Sequence, residues 1–439
     1  MKVNCYNHNN TAGIVKYSCG IIFILFTFFY LYFLQGEILS KAQYIFSDGK
    51  TSYSIFWGAL IITLILRLIQ LPAQKFMKVP VRLHAISYIP SFLLLTIICY
   101  VSGAAINDCG KGWLWFFILL FIIAISLIQK FSLYLESLCG SNMLRSNHLS
   151  TVLWPNFLIF ILSILLCGTC NPLSEVDFYE QKVERLVDND NNKAALEVGK
   201  NSINSNLRLT NLRMFALSKL DLLPECLFDY PQYYGSQGLL SVPDTNNRLF
   251  RIDARDISMY LGVLCDSSIH STDEYFKAVK FRQQLVSDSL MGIELMRSDN
   301  PDSLKKEIVL KYDILKREKS RIEDYILCGL LLDRNIDAFK EMLDKAYAFE
   351  VSKDSVVSVE NLPCAYREAL VMIYPEIGDT AMIKLYSKFL DLKESVKDST
   401  ASSNITRKTK ISNSTTKTFG NSFWWYYYNP KITKRNYLQ

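Results

Sequence analysis

The sequence predicts an all-α protein in two parts, an N-terminal bundle of about five transmembrane helices over residues 1–172 and an α-helical repeat domain over residues 173–394. Three observations carry this. Half of the 439 residues are apolar and only 21% are charged, against about a quarter charged in an average soluble protein. Those apolar residues gather into five long stretches before Cys170. Beyond Asn171 the pattern turns to a 3.6-residue period with polar faces, and no run alternates with the two-residue period of a strand.

The five stretches are Tyr17 to Leu34, Tyr53 to Leu71, Ala85 to Ile106, Trp113 to Tyr134 and Val152 to Cys167. A helix rises about 1.5 Å per residue, so roughly 18 to 22 residues cross a hydrocarbon layer of ~30 Å. Buried helices of a soluble protein are usually shorter and keep a polar face. The first stretch exceeds the ~7 to 15 residues of a signal-peptide apolar region, and no small-x-small cleavage pattern follows in Gln35 to Ser40. It is expected to remain as a signal anchor.

Lysine and arginine near the ends of the stretches set the expected orientation. With the N-terminus inside, the inner flanks hold eight (Lys2, Lys16, Arg67, Lys75, Lys78, Arg82, Lys130 and Arg145), and the outer flanks five (Lys41, Lys50, Lys111, Lys182 and Arg185). An odd number of crossings then exports the C-terminal domain. The expected location is a bacterial inner membrane, with that domain in the periplasm.

Residues Glu175 to Val187, Ala194 to Ile203 and Leu207 to Leu222 read as three successive helices, with Asp188 to Asn192 as a turn. Pro224, Pro231 and Gly235 interrupt the pattern. Helices are predicted again at Ile257 to Cys265, Thr272 to Leu285, from Asp302-Ser303 through Leu315, Tyr325 to Asp333, Ile336 to Phe349, after Pro363, and at Ala381 to Lys393. Short helices joined by short turns argue for stacked helical hairpins. Five Asp-Ser/Thr tripeptides, among them Asp288-Ser289, read as helix caps.

Residues 395–418, rich in Ser, Thr, Asn and Lys, read as a flexible linker. Residues 419–439 form an aromatic, basic segment. It holds six consecutive aromatic residues, Phe423, Trp424, Trp425, Tyr426, Tyr427 and Tyr428. Either lipid receives this run at the membrane interface, where Trp and Tyr are favoured, or it docks onto the folded protein and caps the repeat stack. Docking is the expectation. From Lys397 onward eight basic residues face one acid, a local +7, so everything before the tail sums to −1 against the net charge of +6. A tail charge without a folded reading face does not indicate nucleic acid.

The eleven cysteines give no disulfide framework. Cys167 and Cys170 form a C-x-x-C pattern and are the redox candidates, although they stand at a helix exit and not between a strand and a helix. With four histidines and no ligand spacing, no metal site is expected. No phosphate-binding, nucleophile-elbow or zinc-protease motif occurs. Neither catalytic nor cofactor-binding residues are predicted.

Ala195-Leu-Glu-Val198 with Leu212 to Leu220 is similar to a degenerate tetratricopeptide hairpin. Together with Leu227 to Gly235, Asp324 to Asp333, Leu362 to Leu370 and Phe419 to Tyr428, the chain resembles a family of uncharacterised bacterial polytopic membrane proteins with a C-terminal tetratricopeptide-like domain. The resemblance implies that fold and brings no activity. The expected role is a membrane-anchored scaffold whose partners are the lipid bilayer and a protein or peptide. The alternative, an integral-membrane enzyme or transporter with an accessory repeat domain, needs His84, His148 and Asp108 to converge on a membrane cavity.

Overall fold

The computed structural model describes residues 3–77, 81–107, 149–169, 174–239, 249–263, 272–299, 306–347, 359, 361–375, 380–401 and 415–429. Among them every regular element is a helix. The chain divides into two units, Met1–Ser174 and Glu175–Gln439.

In the first unit α1 spans Val3–Phe29, α2 Gly36–Phe46, α3 Ile55–Met77, α4 Ile89–Asn107 and α5 Leu149–Thr169. A 3-10 segment, Val81–Tyr88, leads into α4. Three helical stretches are long and apolar enough to cross a membrane: Ala12–Leu34, Ile55–Lys75 and Leu83–Gly103. The apolar part of α5, Val152–Gly168, is shorter, roughly 25 Å at the helical rise. The fourth apolar stretch of the sequence, Trp113 to Tyr134, lies outside the described residues.

This unit differs from a water-soluble bundle on its outside: the core is apolar, and so are many of the exposed side chains, while several polar groups are buried. Val15, Cys19, Phe23 and Thr27 form the buried stripe of α1, while Tyr17, Ile21, Leu25 and Phe29 form an exposed apolar one. On α3, Thr63 and Gln70 are buried, whereas Ile61, Leu64 and Leu68 are exposed. Polar residues turn inward because only the protein can satisfy them in hydrocarbon. Ser91 Oγ on α4 donates to the Leu66 carbonyl of α3 at 2.8 Å. Asn156 of α5 clasps the 3-10 segment, accepting from the Ala85 amide at 2.7 Å and donating to the Val81 carbonyl at 3.2 Å. The end of α1 widens into a π-turn, Tyr30–Leu34, before Gly36 starts α2. A Cβ at Gly36 would strike the Ile55 side chain, so only glycine permits that approach.

The second unit opens with α6 Glu175–Asp188, α7 Asn192–Glu197 and α8 Leu207–Lys219, which pack on one another. Helix α7 stops well short of Ile203. Gly199 takes φ +59° there, and its backbone lies close against the Tyr179 ring, so the helix cannot continue. Asn206 restarts the chain as the cap of α8, accepting the Leu209 amide at 2.7 Å. Nearly all of α8 is buried, which makes it the centre of the unit.

A capping box at Asp253 starts α9, Ala254–Tyr260. Then come the long α10, Thr272–Asp299, and α11, Lys306–Leu332, packed as a pair, followed by α12, Ile336–Tyr347. The two helices read from sequence over Leu304 to Leu315 and Tyr325 to Asp333 are one, because no Gly or Pro interrupts Lys316 to Asp324. Ser289 likewise sits inside α10, its hydroxyl bonded to the Leu285 carbonyl at 2.8 Å, and caps nothing. Pro363 precedes α13, Cys364–Ile373, and the Glu225 carboxylate accepts the Cys364 amide at 2.7 Å. Helix α14, Thr380–Ala401, runs on into the stretch read as a linker, and helical backbone resumes at Thr415. The last helix is α15, Phe423–Tyr428.

Candidate functional site

The aromatic run of α15 lies inside the second unit. Ser422 caps the helix, its hydroxyl donating to the Phe419 carbonyl at 2.7 Å and accepting from the Trp425 amide at 3.2 Å. Phe423, Trp424, Trp425 and Tyr426 are each no more than 3% exposed, while Tyr427 and Tyr428 are half-buried. Helical geometry splits the run between two cores. Phe423 and Tyr426, three positions apart and so on one face, meet Phe228 in the main core at ring separations of 5.7 and 5.3 Å. Trp424 and Trp425 enter a smaller core with Met382, Tyr386, Phe389 and Phe419.

The polar tips of the buried residues find partners. Trp424 Nε1 donates to the Glu368 carbonyl at 2.7 Å, and the Tyr426 hydroxyl donates to the Leu332 carbonyl at 2.6 Å. Arg334, in the turn between α11 and α12, donates to the carbonyls of Tyr426 at 3.1 Å and Asn429 at 3.0 Å, with its guanidinium 4.2 Å from the Tyr426 ring. The Glu368 carboxylate accepts the Phe423 amide at 2.6 Å. Burial pushes this carboxyl up to about 7, against the opposing effects of that amide and of nearby Arg367. Neither Glu368 nor Arg334 was singled out from sequence, because their partners stand 55 and 92 positions away.

A second buried polar group lies between α11 and α13. The Tyr366 hydroxyl donates to Asp324 at 2.9 Å and lies 3.7 Å from Cys328 Sγ. Burial pushes the Asp324 carboxyl up to about 6 and the Cys328 thiol well above its ordinary range. A fully buried, protonated thiol is not a nucleophile. The cluster therefore serves packing.

Of the redox candidates, Cys167 is buried near the end of α5, where its carbonyl accepts the Tyr30 hydroxyl at 3.4 Å. Cys170 lies outside the described residues, as do His148 and Asp108. His84 is buried beside Tyr88. Among the described residues no three His, Cys, Asp or Glu side chains gather as a metal site would require. An open cleft of about 560 Å³ beside α6 is lined by Glu175, Tyr179, Glu197, Lys200 and Asn204. Glu175 is already engaged there by Tyr179 at 2.5 Å and Asn204 at 3.2 Å.

The surface of the α10–α11 pair is of another kind. At 100° per residue, Tyr275, Val279, Val286 and Leu290 of α10 fall in one arc of roughly 60° and face the core. Phe281, Leu285, Met291 and Leu295 fall in an arc of roughly 120° on the opposite side, and are exposed by 64, 43, 62 and 61%. Leu310 and Ile314 of α11 are also exposed, flanking Tyr312, whose hydroxyl bonds Glu294 of α10 at 2.8 Å.

No family model, curated protein or solved structure matches the chain.

Proposed function

We propose that the chain is a membrane-anchored scaffold, in which about five helices hold a tetratricopeptide-like domain at the outer face of a bacterial inner membrane and that domain binds a protein or peptide. The observation that supports this reading is the second apolar face of α10. A helix at the surface of a soluble domain needs one apolar stripe, and α10 carries two. Intramolecular packing accounts for the first. The second presents an aromatic ring, a methionine and two leucines, residue types that supply contact area at recognition surfaces. The three apolar helices of the first unit support the anchor.

The test is a paired substitution, Phe281→Asp with Met291→Asp, in the full-length chain expressed in its own cells. These side chains are exposed, so stability is expected to move by no more than about 0.5 kcal/mol, while the partner captured by chemical crosslinking of the wild type is lost. A marked drop in melting temperature, or an undiminished crosslink, contradicts the reading.

A further inference from the structure

Arg67 stands well inside the second span, Ile55–Lys75, and is half-buried. It does not simply reach outward along the helix. Its Nη1 donates to the Tyr88 hydroxyl at 2.7 Å and to the Gln70 side-chain carbonyl, and its guanidinium lies 5.4 Å from the Tyr88 ring. Gln70 is itself fixed by donating to Ser87 Oγ at 2.9 Å. Gly20 of α1 gives the guanidinium its room, since a Cβ there would lie 3.3 Å from Nη2. Residues from α1, α3 and the 3-10 segment thus hold one cation in a set orientation.

All of these acceptors are neutral. Among the described residues of this unit the carboxylates are Glu37 and Asp48, which lie between the first two spans, and Arg67 is roughly 18 Å along α3 from the residue that begins its span at that end. Its Nε and Nη2 have no acceptor among the described residues. A second cation is near: exposed Lys16 sits one turn before Gly20 on α1, the residue against which the Arg67 guanidinium packs. Gln70 and Gln74, bonded at 3.5 Å, continue from Arg67 as a polar stripe toward Lys75. A charge at this depth with no carboxylate beside it among the described residues marks a functional position. A planar fork held by its other hydrogen bonds, paired with a flexible ammonium, suits a phosphate oxygen cluster.

We propose that Arg67 and Lys16 bind the phosphate of an anionic phospholipid seated against α1 and α3. The two cations exceed the single negative charge of a phosphodiester, so a zwitterionic headgroup, which brings its own ammonium, is disfavoured.

The experiment is a melting series on the full-length protein, delipidated in a neutral detergent, with added phosphatidylglycerol, phosphatidylcholine or inorganic phosphate. Phosphatidylglycerol is expected to raise the melting temperature of the wild type saturably, since a ligand of the folded state stabilises it, and phosphatidylcholine is expected not to. R67Q should lose the saturable shift, and K16Q should need about fivefold more phosphatidylglycerol for half-saturation. Equal effects of the two lipids, or an R67Q response matching wild type, overturn the proposal. A wild-type response to inorganic phosphate that R67Q lacks assigns the site to a free anion and overturns the lipid. Should R67Q fail to fold, K16Q decides, because Lys16 takes no part in the Arg67 hydrogen bonds; unchanged K16Q affinity overturns the pairing.

Discussion

Glu368 accepts the Phe423 amide while cut off from water, and the two conditions pull its proton in opposite directions. Burial prevails, lifting the carboxyl from 4.5 to about 7. Between those values the folded chain holds a proton that the unfolded chain has released. Stability is therefore fully present below about 4.5 and is lost as pH rises through about 7. The difference corresponds to roughly 3 kcal/mol. Asp324 adds to the fall between its ordinary 3.8 and about 6. Melting of the full-length chain is expected to drop from pH 5 to pH 8, and Glu368→Gln, whose amide oxygen still accepts from Phe423, should flatten most of that slope. An equally steep profile in the variant contradicts the assignment.

Trp424 belongs to the same scale. It is 1% exposed and its indole N–H satisfies the Glu368 carbonyl. Trp424→Ala is expected to cost about 4 kcal/mol, from the cavity and the orphaned carbonyl together. Trp57, 60% exposed on α3, is the matched control in the membrane unit, and chemical denaturation that ranks the two substitutions equally contradicts this picture. The aromatic run was visible in sequence as an oddity that needed a home. Its partners were not, because Glu368, Arg334 and Phe228 come from segments whose local patterns say only helix or turn.

At the scale of elements, α15 joins two cores, as α13 does through Tyr366 and Leu370 on one side and Val371 on the other. Deleting residues 419–439 removes five buried aromatic side chains, Phe419 among them, and the acceptors of Arg334. Buried aromatics each hide about 150 to 250 Å², so the deletion is expected to lower the melting temperature of the full-length protein sharply. Unchanged melting would mean that the run contributes nothing to the fold. The periodic helices α6, α8 and α12 were legible because apolar positions recur on one face and Asn or Pro marks their ends. Boundaries were less so. Helix α7 ends at a glycine whose left-handed backbone and ring contact are set by Tyr179, a long-range fact. Helices α11 and α14 overrun their periodic cores because nothing in Lys316–Asp324 or after Lys393 breaks them.

At the scale of the molecule, the first unit places Thr and Gln inward and Leu, Ile and Trp outward, the arrangement expected when the surroundings are apolar. That apolar exterior follows from the apolar stretches, which is why membrane character was readable from sequence, while the pairing of Arg67 with Tyr88 and Gly20 was not. The proposed number of about five crossings, of which three candidate spans lie among the described residues, would put the two ends of the bundle on opposite sides. Topology reporters fused after Asn10 and after Ser174 are expected to report cytoplasm and periplasm respectively, and the same side for both contradicts that number.

The second unit's unusual surface is the two-sided α10, and its use by a partner is the centre of the functional account. The direct measurement is site-specific photocrosslinking in living cells, with the probe placed in turn at Met291, at Leu310 and at Lys384, an exposed charged position on α14. One discrete heavier species from Met291 and Leu310, absent from Lys384, is the predicted result. No adduct from either apolar position, or the same adducts from all three, would contradict a recognition face on this domain.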